Sequence, residues 1–536
     1  MPPGHSMSPG VPGQTPQCFH LTALLNAFSH YRDRVAIVYA GKSTTYGEAL
    51  EEVFRLARAM FARGLRRGDG VAGLNVNTPR TMLTQLAAQL IGCYYSAIPA
   101  NLSITEQANT LADTGAIALV FESLESETRA AGITERVRIP MVLSLGPSSV
   151  GDNLLALASC QPAEPLTPQG HDDDLAELTY TGGSTSGSPK GVLYTFGRNA
   201  TLTRYLEASA RRGTVDSVVF STEPCRFLRF LPFTTIPWET TVPILMKGGT
   251  IFLHKGFEAG RALSTIEQER ITVVAMPPSF LYQLLDHPDL NTTDTSSLRL
   301  IVYAGAPAVP DRLEQALSRF GPVLLQYYGQ TETRMISVLD PADHASGHPT
   351  VLRSVGKPLR GIEVQIRDSD GGLLGTGSVG EVCVRSPIAM NGYWRKPELT
   401  ADTMGDGWVR TNDLGYLDAE DYLYLVDRLT DMVIVNGYNC YTLEVEEALT
   451  HHPSVRQATV VGLPDERTGE AIHAVVVRQP NAQVAEEELR ALVREHKGRL
   501  HEPRTIVFLD EIPLTLIGKP DKNAIRAELA RRARGD

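Results

Sequence analysis

The sequence lacks the features that mark several classes of protein. Its six cysteines are scattered, and no two form a CxxC pair, which disfavours a disulfide framework and favours a reducing, cytoplasmic compartment. Basic residues are outnumbered, with 50 lysines and arginines against 61 acidic residues and a net charge of -11. A general nucleic-acid binder would need a basic face, so this class is disfavoured.

The sequence also predicts neither a signal peptide nor a clean membrane span. Residues 1–17 have no basic start and no apolar run, and their Pro, Gly and Ser content predicts a disordered tail. No charged residue stands between Arg80 and Glu106, but Gln85, Gln89 and Pro99 interrupt this stretch. It therefore predicts a buried helix followed by a strand rather than a membrane span.

The periodicity of the chain indicates an α/β protein of several domains. A chain of 536 residues is too long for one ordinary core, so we expect about two to four domains. Segments of helical period, such as 46–63, alternate with short apolar runs such as 70–74 and 118–121, which predicts a mostly parallel sheet. Residues 350–426 carry short alternating runs between Gly and Asp turns, which predicts a small β unit.

The most informative segment is a loop that closes on Pro-Lys-Gly. Residues 178–192 read Leu-Thr-Tyr-Thr-Gly-Gly-Ser-Thr-Ser-Gly-Ser-Pro-Lys-Gly-Val. Backbone amides, hydroxyls and one lysine at a single place suit a polyphosphate. The loop is not a Walker A motif, and Thr185 stands where a nucleophile elbow needs serine. A flexible linker is the alternative interpretation of this composition.

Four further segments follow this loop in a fixed order. They are Tyr-Tyr-Gly-Gln-Thr-Glu-Thr at 327–333, Gly-Trp-Val-Arg-Thr-Asn-Asp-Leu-Gly-Tyr-Leu-Asp at 407–418, Asp-Arg-Leu-Thr-Asp-Met at 427–432 and Pro-Leu-Thr-Leu-Ile-Gly-Lys at 513–519. In order and spacing the five segments resemble the motifs of the adenylate-forming superfamily. That superfamily includes acyl-CoA synthetases, carrier-protein-linked adenylation domains and luciferases.

The resemblance implies the domain organisation. It implies an α/β fold in which a large N-terminal domain combines mostly parallel sheets and helices with the small β unit. A small, mobile α+β domain would follow at the C-terminus. We expect the boundaries to fall at 1–17 for the tail, 18–427 for the large domain and 428–536 for the small one.

The resemblance also implies a reaction, the attack of a substrate oxyanion on the α-phosphate of ATP to give an adenylate and pyrophosphate. Glu332 is the candidate Mg²⁺ ligand, because one carboxylate beside phosphates is sufficient for this ion. Thr331 would donate to the α-phosphate, and Lys519 would bridge the substrate oxyanion and the α-phosphate. The loop residues expected to hold the β- and γ-phosphates are Thr181, Ser184, Thr185, Ser186 and Lys190.

Further residues are assigned by the resemblance to the adenosine part of ATP. Asp413 would accept from the ribose hydroxyls, although Asn412 replaces the usual glycine and is expected to restrict the turn. Arg428 suits ribose or phosphate oxygens, with an interdomain salt bridge as the alternative. Tyr328 would contact the adenine or pack in the core. The predicted set is completed by Gly305, Ala306, Tyr327 and Gly329.

The sequence departs from the family pattern at the expected acid pocket. Relatives carry an aromatic residue or histidine after a Leu-Pro-x-Phe element, and Thr235 stands there instead. Arg226 and Arg229 precede it and Trp238 follows it. One interpretation is a small, polar anion pocket, and the other is that both arginines are simply exposed.

These observations predict an ATP-dependent, AMP-forming ligase that uses Mg²⁺. It would activate a small organic acid and pass the acyl group to coenzyme A. Gly437, Tyr438 and Asn439 would enter the site for this second half-reaction. Two alternatives stay open. One is a member from secondary metabolism that activates nitrite to diazotise an aromatic amine, and the other is an acyl-AMP ligase that loads a carrier protein.

Overall fold

The computed structural model describes residues 18–74, 76–99, 102–181, 190–211, 225–232, 237–348, 350–465, 467–515 and 518–534. Within these ranges, no helix is both long and apolar enough to cross a membrane. The α-helices are Phe19–His30, Tyr46–Ala62, Pro79–Leu90, Ile104–Thr114, Ser123–Thr134, Leu154–Ser159, Phe196–Arg211, Pro237–Met246, Ala259–Gln268, Pro278–Asp286, Pro310–Phe320, Pro341–His344, Pro397–Thr403, Thr442–Thr450, Glu486–Lys497 and Lys522–Arg534.

The first large sheet has nine strands and a parallel centre. Its five central pairings are parallel, and antiparallel pairings occur only at its two ends. The carboxyl ends of the central strands therefore meet at one edge, where ligands of open α/β sheets usually bind. In spatial order the strands are Lys357–Pro358, Arg334–Leu339, Leu324–Gln330, Leu300–Ala304, Val273–Met276, Arg226–Arg229, Thr250–Leu253, Val35–Tyr39 and Lys42–Thr45.

The second large sheet has eight strands and is also mostly parallel. Only the pairings of the strand that follows the glycine-rich loop are antiparallel. This strand lies between the lead-in to the loop and a short strand that comes from far along the chain. The order is Gly392–Tyr393, Lys190–Thr195, Leu175–Thr181, Tyr94–Ile98, Gly70–Leu74, Ala118–Phe121, Met141–Ser144 and Asp152–Asn153.

Two smaller sheets complete the fold, each with five strands. The first is antiparallel and corresponds to the predicted β unit. Its strands are Glu363–Arg367, Gly380–Arg385, Trp408–Leu417, Met404–Gly405 and Leu423–Arg428. The second lies near the C-terminus and carries helices. Its strands are Tyr438–Cys440, Val433–Val435, Gly469–Arg478, Val455–Asp465 and Thr505–Phe508.

The uncharged stretch after Arg80 shows how local sequence builds these layers. The Thr78 hydroxyl caps the helix Pro79–Leu90, and proline occupies its first turn, where a missing N–H costs nothing. Every residue from Thr81 to Leu90 is buried, and the buried strand Tyr94–Ile98 follows. The predicted helix and strand are confirmed.

The buried side chains separate the C-terminal sheet from the rest. The largest core cluster joins residues of both large sheets and of the small β unit, whereas the C-terminal sheet packs its own cluster with its own helices. The predicted fold class, a large α/β unit followed by a smaller α+β unit, is confirmed. The domain boundaries remain predictions, and the predicted tail, residues 1–17, lies outside the described residues.

Candidate active site

Lys519 lies at the carboxyl edge of the first large sheet. A Cβ atom built on Gly305, just after the strand Leu300–Ala304, would stand 3.0 Å from Lys519 Cε. The neighbouring Gly518 packs against Pro277 and accepts a hydrogen bond of 2.6 Å from the Ser279 hydroxyl. Glycine is required at both positions, since Gly305 and Gly518 have φ values of 89° and 74°.

The Lys519 ammonium shares this cleft with three other charged groups. Burial and the positive charge of Arg428 lower the pKa of Lys519 to about 8, against the opposing effect of the Asp413 and Glu332 carboxylates. Residues far apart in the chain are thus close enough to act on one another electrostatically. A cation held out of water in this way is stabilised by an incoming anion.

The first prediction concerns pH. If adenylation needs the Lys519 ammonium, kcat/KM for pyrophosphate release should fall as the pH rises through about 8, the pKa of Lys519, because kcat/KM reports the free enzyme. Below this pH the ammonium is present and activity is retained. The measurement is a pH profile of initial rates with the acid substrate fully ionised throughout. A flat profile across this range would contradict the assignment.

Asp413 is the buried centre of the hydrogen-bond network in the cleft. Its carboxylate accepts from the Tyr328 hydroxyl at 2.6 Å, from Gln330 Nε2 at 2.7 Å and from Arg428 Nε at 3.1 Å. Burial and the Asp413 charge raise the pKa of Tyr328 well above its usual value, so this hydroxyl stays a donor. The network holds the carboxylate in a single orientation.

The turn before Asp413 explains why Asn412 can replace a glycine. Asn412 has a φ of 58°, in the left-handed region that glycine occupies freely and asparagine tolerates better than most residues. The replacement therefore keeps the backbone path, and the Asp413 carboxylate remains in the cleft. The contact with ribose stays a prediction.

The turn Thr331–Glu332 lies beside the strand that carries Lys190. The Tyr194 hydroxyl donates to the Thr331 carbonyl oxygen, and the Tyr393 hydroxyl donates to Glu332 Oε1 at 3.0 Å. Lys190 Nζ lies 5.8 Å from the centre of the Tyr393 ring. The candidate metal ligand and the candidate phosphate lysine are therefore close neighbours across one tyrosine.

The remaining predicted nucleotide residues that the structure describes lie on both large sheets. Tyr327 pairs in register with Ala304, the last residue before Gly305, and Thr181 pairs with Lys190 at the mouth of the loop. Tyr328 and Gly329 lie with Tyr327 on the strand Leu324–Gln330, and Ala306 comes directly after Gly305. The loop residues Ser184, Thr185 and Ser186 and the pocket residue Thr235 lie outside the described residues, as does the side chain of Trp238.

The two arginines of the predicted anion pocket occupy opposite ends of one strand. Arg226 begins the strand and forms an ion pair of 2.9 Å with Glu269, at the amino edge of the sheet. The interpretation that it lines the pocket is therefore corrected. Arg229 ends the strand, is 3% exposed and donates to the Pro232 carbonyl at 2.9 Å. The interpretation that both arginines are exposed is wrong for Arg229.

The segment assigned to the second half-reaction is away from the cleft. Gly437, Tyr438 and Asn439 form the exposed end of a hairpin, and Tyr438 is 64% exposed. The structure thus brings Lys519 into the site and leaves this segment in solvent. Its role stays a prediction.

Sequence reasoning missed three residues of the site. Gln330 lies inside the 327–333 motif and could have been found there, because its amide can bond an acidic neighbour. Tyr194 and Tyr393 gave no signal, since ordinary strand tyrosines carry no motif. Their roles depend on strand pairing between distant segments.

Comparison with known families decides the identity. The AMP-binding enzyme family matches residues 25–394, and the C-terminal domain of AMP-binding enzymes matches residues 444–519. The chain belongs to the AMP-binding enzyme family. As an AMP-binding enzyme it is an ATP-dependent, AMP-forming ligase of the acid–CoA ligase type, which confirms the predicted superfamily and enzyme class.

Individual relatives of this AMP-binding enzyme differ in what they make. A medium/long-chain-fatty-acid–CoA ligase of Mycobacterium tuberculosis, FadD8, is 35% identical over 94% of this chain and 89% of its own length. A feruloyl-CoA synthase of an Amycolatopsis species is 34% identical over 92% of this chain and 95% of its own length. The amide bond synthetase McbA of Marinactinospora thermotolerans is 42% identical with a TM-score of 0.85, over 96% of this chain and 99% of that chain.

Proposed function

We propose that this enzyme activates a small carboxylic acid with ATP as an acyl-adenylate, releases pyrophosphate and passes the acyl group to a nucleophile. The observation that carries the proposal is the placement of charged groups around one edge of the sheet. Lys519 lies against Gly305, Asp413 pairs with Arg428 and accepts from Tyr328, and Glu332 is near enough to act on the charge of Lys519. Such a group can orient two anions that repel each other and neutralise charge on the α-phosphoryl oxygens.

The chemistry of the cleft fits the two groups that this reaction needs. Lys519 and Arg428 offer cations to phosphates, and the fixed Asp413 carboxylate offers an acceptor to ribose hydroxyls. The Glu332 carboxylate accepts one hydrogen bond from Tyr393 and has further lone pairs that could bind a hard cation. A bound Mg²⁺ would neutralise the charge of the leaving pyrophosphate. Glu332 would hold it near the phosphates, and Thr331 would donate to the α-phosphate.

Coenzyme A is the acceptor that we propose first, because several relatives are acid–CoA ligases. An amine is the second candidate, favoured by the 42% identity with an amide bond synthetase. The test also includes a carrier protein as a possible acceptor and nitrite as a possible substrate in place of the acid. None of the six cysteines, all within the described residues, forms a disulfide, which fits the cytoplasmic compartment that we also propose.

The test is acid-dependent pyrophosphate release, measured across aryl acids, fatty acids and nitrite, followed by mass analysis of the product formed with coenzyme A, with amines or with a carrier protein. A thioester supports a CoA ligase, and an amide supports the second candidate. The absence of pyrophosphate release with every acid and with nitrite would refute the proposed function.

The second prediction concerns chain length. Arg229 is buried at the carboxyl end of its strand, and a buried cation is a poor neighbour for a hydrocarbon tail. We expect pyrophosphate release not to improve from acetate to dodecanoate. A true fatty-acid site would gain about 0.8 kcal/mol per buried methylene, so a steady climb in kcat/KM with chain length would contradict this prediction.

The third prediction compares the two arginines of one strand. Arg229→Met keeps volume and removes the charge, so the ratio of the dodecanoate rate to the acetate rate should rise about tenfold, the equivalent of about 1.4 kcal/mol. Arg226→Met is the matched control, since this arginine pairs with Glu269 at the other edge. The measurement is the same chain-length series. If the two variants show the same dependence of rate on chain length, Arg229 does not line the acid pocket.

A further inference from the structure

Arg334, the first residue of the strand that follows the Thr331–Glu332 turn, has a strained backbone. Its φ is 58°, a left-handed conformation that is unfavourable for a residue with a side chain and persists only where its surroundings enforce it. The turn is also tight on its other side. A Cβ atom built on Gly329 would stand 2.0 Å from the Arg334 carbonyl oxygen, so only glycine fits there.

The side chain of Arg334 supplies the contacts that hold this backbone. The residue is 8% exposed. Its guanidinium lies 3.9 Å from the centre of the Tyr194 ring and donates a hydrogen bond of 2.6 Å to the Asn199 amide oxygen. A planar guanidinium suits such combined stacking and bonding, which lysine cannot reproduce.

Both partners belong to the segment that follows the glycine-rich loop. Tyr194 lies on the strand Lys190–Thr195, and Asn199 lies on the helix Phe196–Arg211. The hydroxyl of the same Tyr194 donates to the Thr331 carbonyl oxygen. One tyrosine thus contacts the turn at both of its ends, through its ring at Arg334 and through its hydroxyl at Thr331.

The Glu332 carboxylate is tied to the same strand by a second route. It accepts from Tyr393, whose short strand pairs with Lys190–Thr195 in register, Tyr393 opposite Val192. The strand that carries Lys190 therefore determines both where the turn lies and where its carboxylate points.

We propose that Arg334 is a positioning residue, which clamps the Thr331–Glu332 turn against the Lys190 strand and so sets the distance between the metal-binding carboxylate and the phosphate-binding lysine. In this role Arg334 acts on the site through Tyr194 and the turn. The inference rests on the proposed function, because it assigns Glu332 to Mg²⁺.

The experiment compares Arg334→Gly and Tyr194→Phe with the wild-type enzyme. Glycine accepts the left-handed backbone, so Arg334→Gly removes the clamp without added strain, and Tyr194→Phe removes only the hydroxyl. Two quantities are measured: the Mg²⁺ concentration for half-maximal pyrophosphate release, and the calorimetric affinity for ATP with and without Mg²⁺. We expect Arg334→Gly to raise the Mg²⁺ concentration for half-maximal pyrophosphate release about tenfold. It should also reduce the gain in ATP affinity that Mg²⁺ provides.

The affinity for ATP without Mg²⁺ should stay unchanged, which a general loss of structure would not allow. Because both residues act on one turn, the effects of the double variant should be smaller than the sum of the single effects. Arg270→Gly is the matched control, since Arg270 also has a positive φ, of 48°, and its exposed guanidinium pairs with Asp294 on the surface. Glu332→Gln is the positive control for Mg²⁺ dependence.

The outcomes separate the two proposals. If the wild type is active and Arg334→Gly keeps the wild-type Mg²⁺ response, the positioning role alone is overturned. The same holds if the effects of Arg334→Gly and Tyr194→Phe are strictly additive in the double variant. A wild type that releases no pyrophosphate with any acid or nitrite overturns the proposed function, and this inference falls with it.

Discussion

Replacing Lys519 with alanine is expected to lower acid-dependent pyrophosphate release about 10²–10³-fold, the usual cost of losing one donor to developing charge. The affinity for ATP should change little, because the contact is made mainly in the transition state. The basis is the position of Lys519 at Gly305, within the field of Asp413 and Glu332. Single-turnover adenylate formation and an ATP titration together provide the measurement.

Lys497→Ala is the matched control for this variant. Lys497 is a lysine of the same C-terminal sheet unit, and it lies 3.8 Å from Glu444 on the surface. Its removal should leave both measurements unchanged. Turnover of Lys519→Ala at the wild-type rate would end the assignment of this lysine to the reaction.

The second large effect is expected for Asp413→Asn. The amide places a donor where Tyr328 and Gln330 already donate, and Arg428 loses its anionic partner. We expect the KM for ATP to rise about 10²-fold and the free energy of unfolding to fall by about 1–3 kcal/mol, the cost of unsatisfied buried groups. Steady-state kinetics and urea titration measure the two effects.

Asp402→Asn is the control for the loss of a carboxylate. Asp402 is exposed on the helix Pro397–Thr403 of the same β unit, so its change should be neutral. If Asp413→Asn binds ATP like the wild type, the Asp413 network only supports the fold and another group receives the ribose.

The parts of the site that follow from sequence are those in which one short segment carries several chemical groups. The motif at 327–333 places Tyr328 and Glu332 within four residues of each other, so their proximity is local. The same motif contains Gln330, and its bond to Asp413 could have been expected once Asp413 was assigned. The fold class follows equally from local signals, since helical and apolar segments alternate through the first half of the chain.

Other parts could not be predicted because they depend on geometry between distant segments. Arg226 and Arg229 are three residues apart, but the extended strand between them carries the first to the amino edge of the sheet and the second to the carboxyl edge. Tyr393 reaches Glu332 only because its strand pairs with Lys190–Thr195. An arginine after a surface motif is usually exposed, so Arg334 gave no sign that it is buried.

The C-terminal unit carries two segments assigned to the reaction, Lys519 and the Gly437–Asn439 hairpin, at different places on its surface. Lys519 follows the strand Thr505–Phe508, and the Gly437–Asn439 hairpin belongs to the same five-stranded sheet, yet only Lys519 occupies the cleft. If both serve the reaction, they must visit the cleft in turn, and the sheet must travel between the visits. The acyl-adenylate must then stay bound in the cleft while the sheet moves. Its survival against water would depend on how fast the sheet moves, so solvent viscosity becomes a variable that controls the yield of the acyl product.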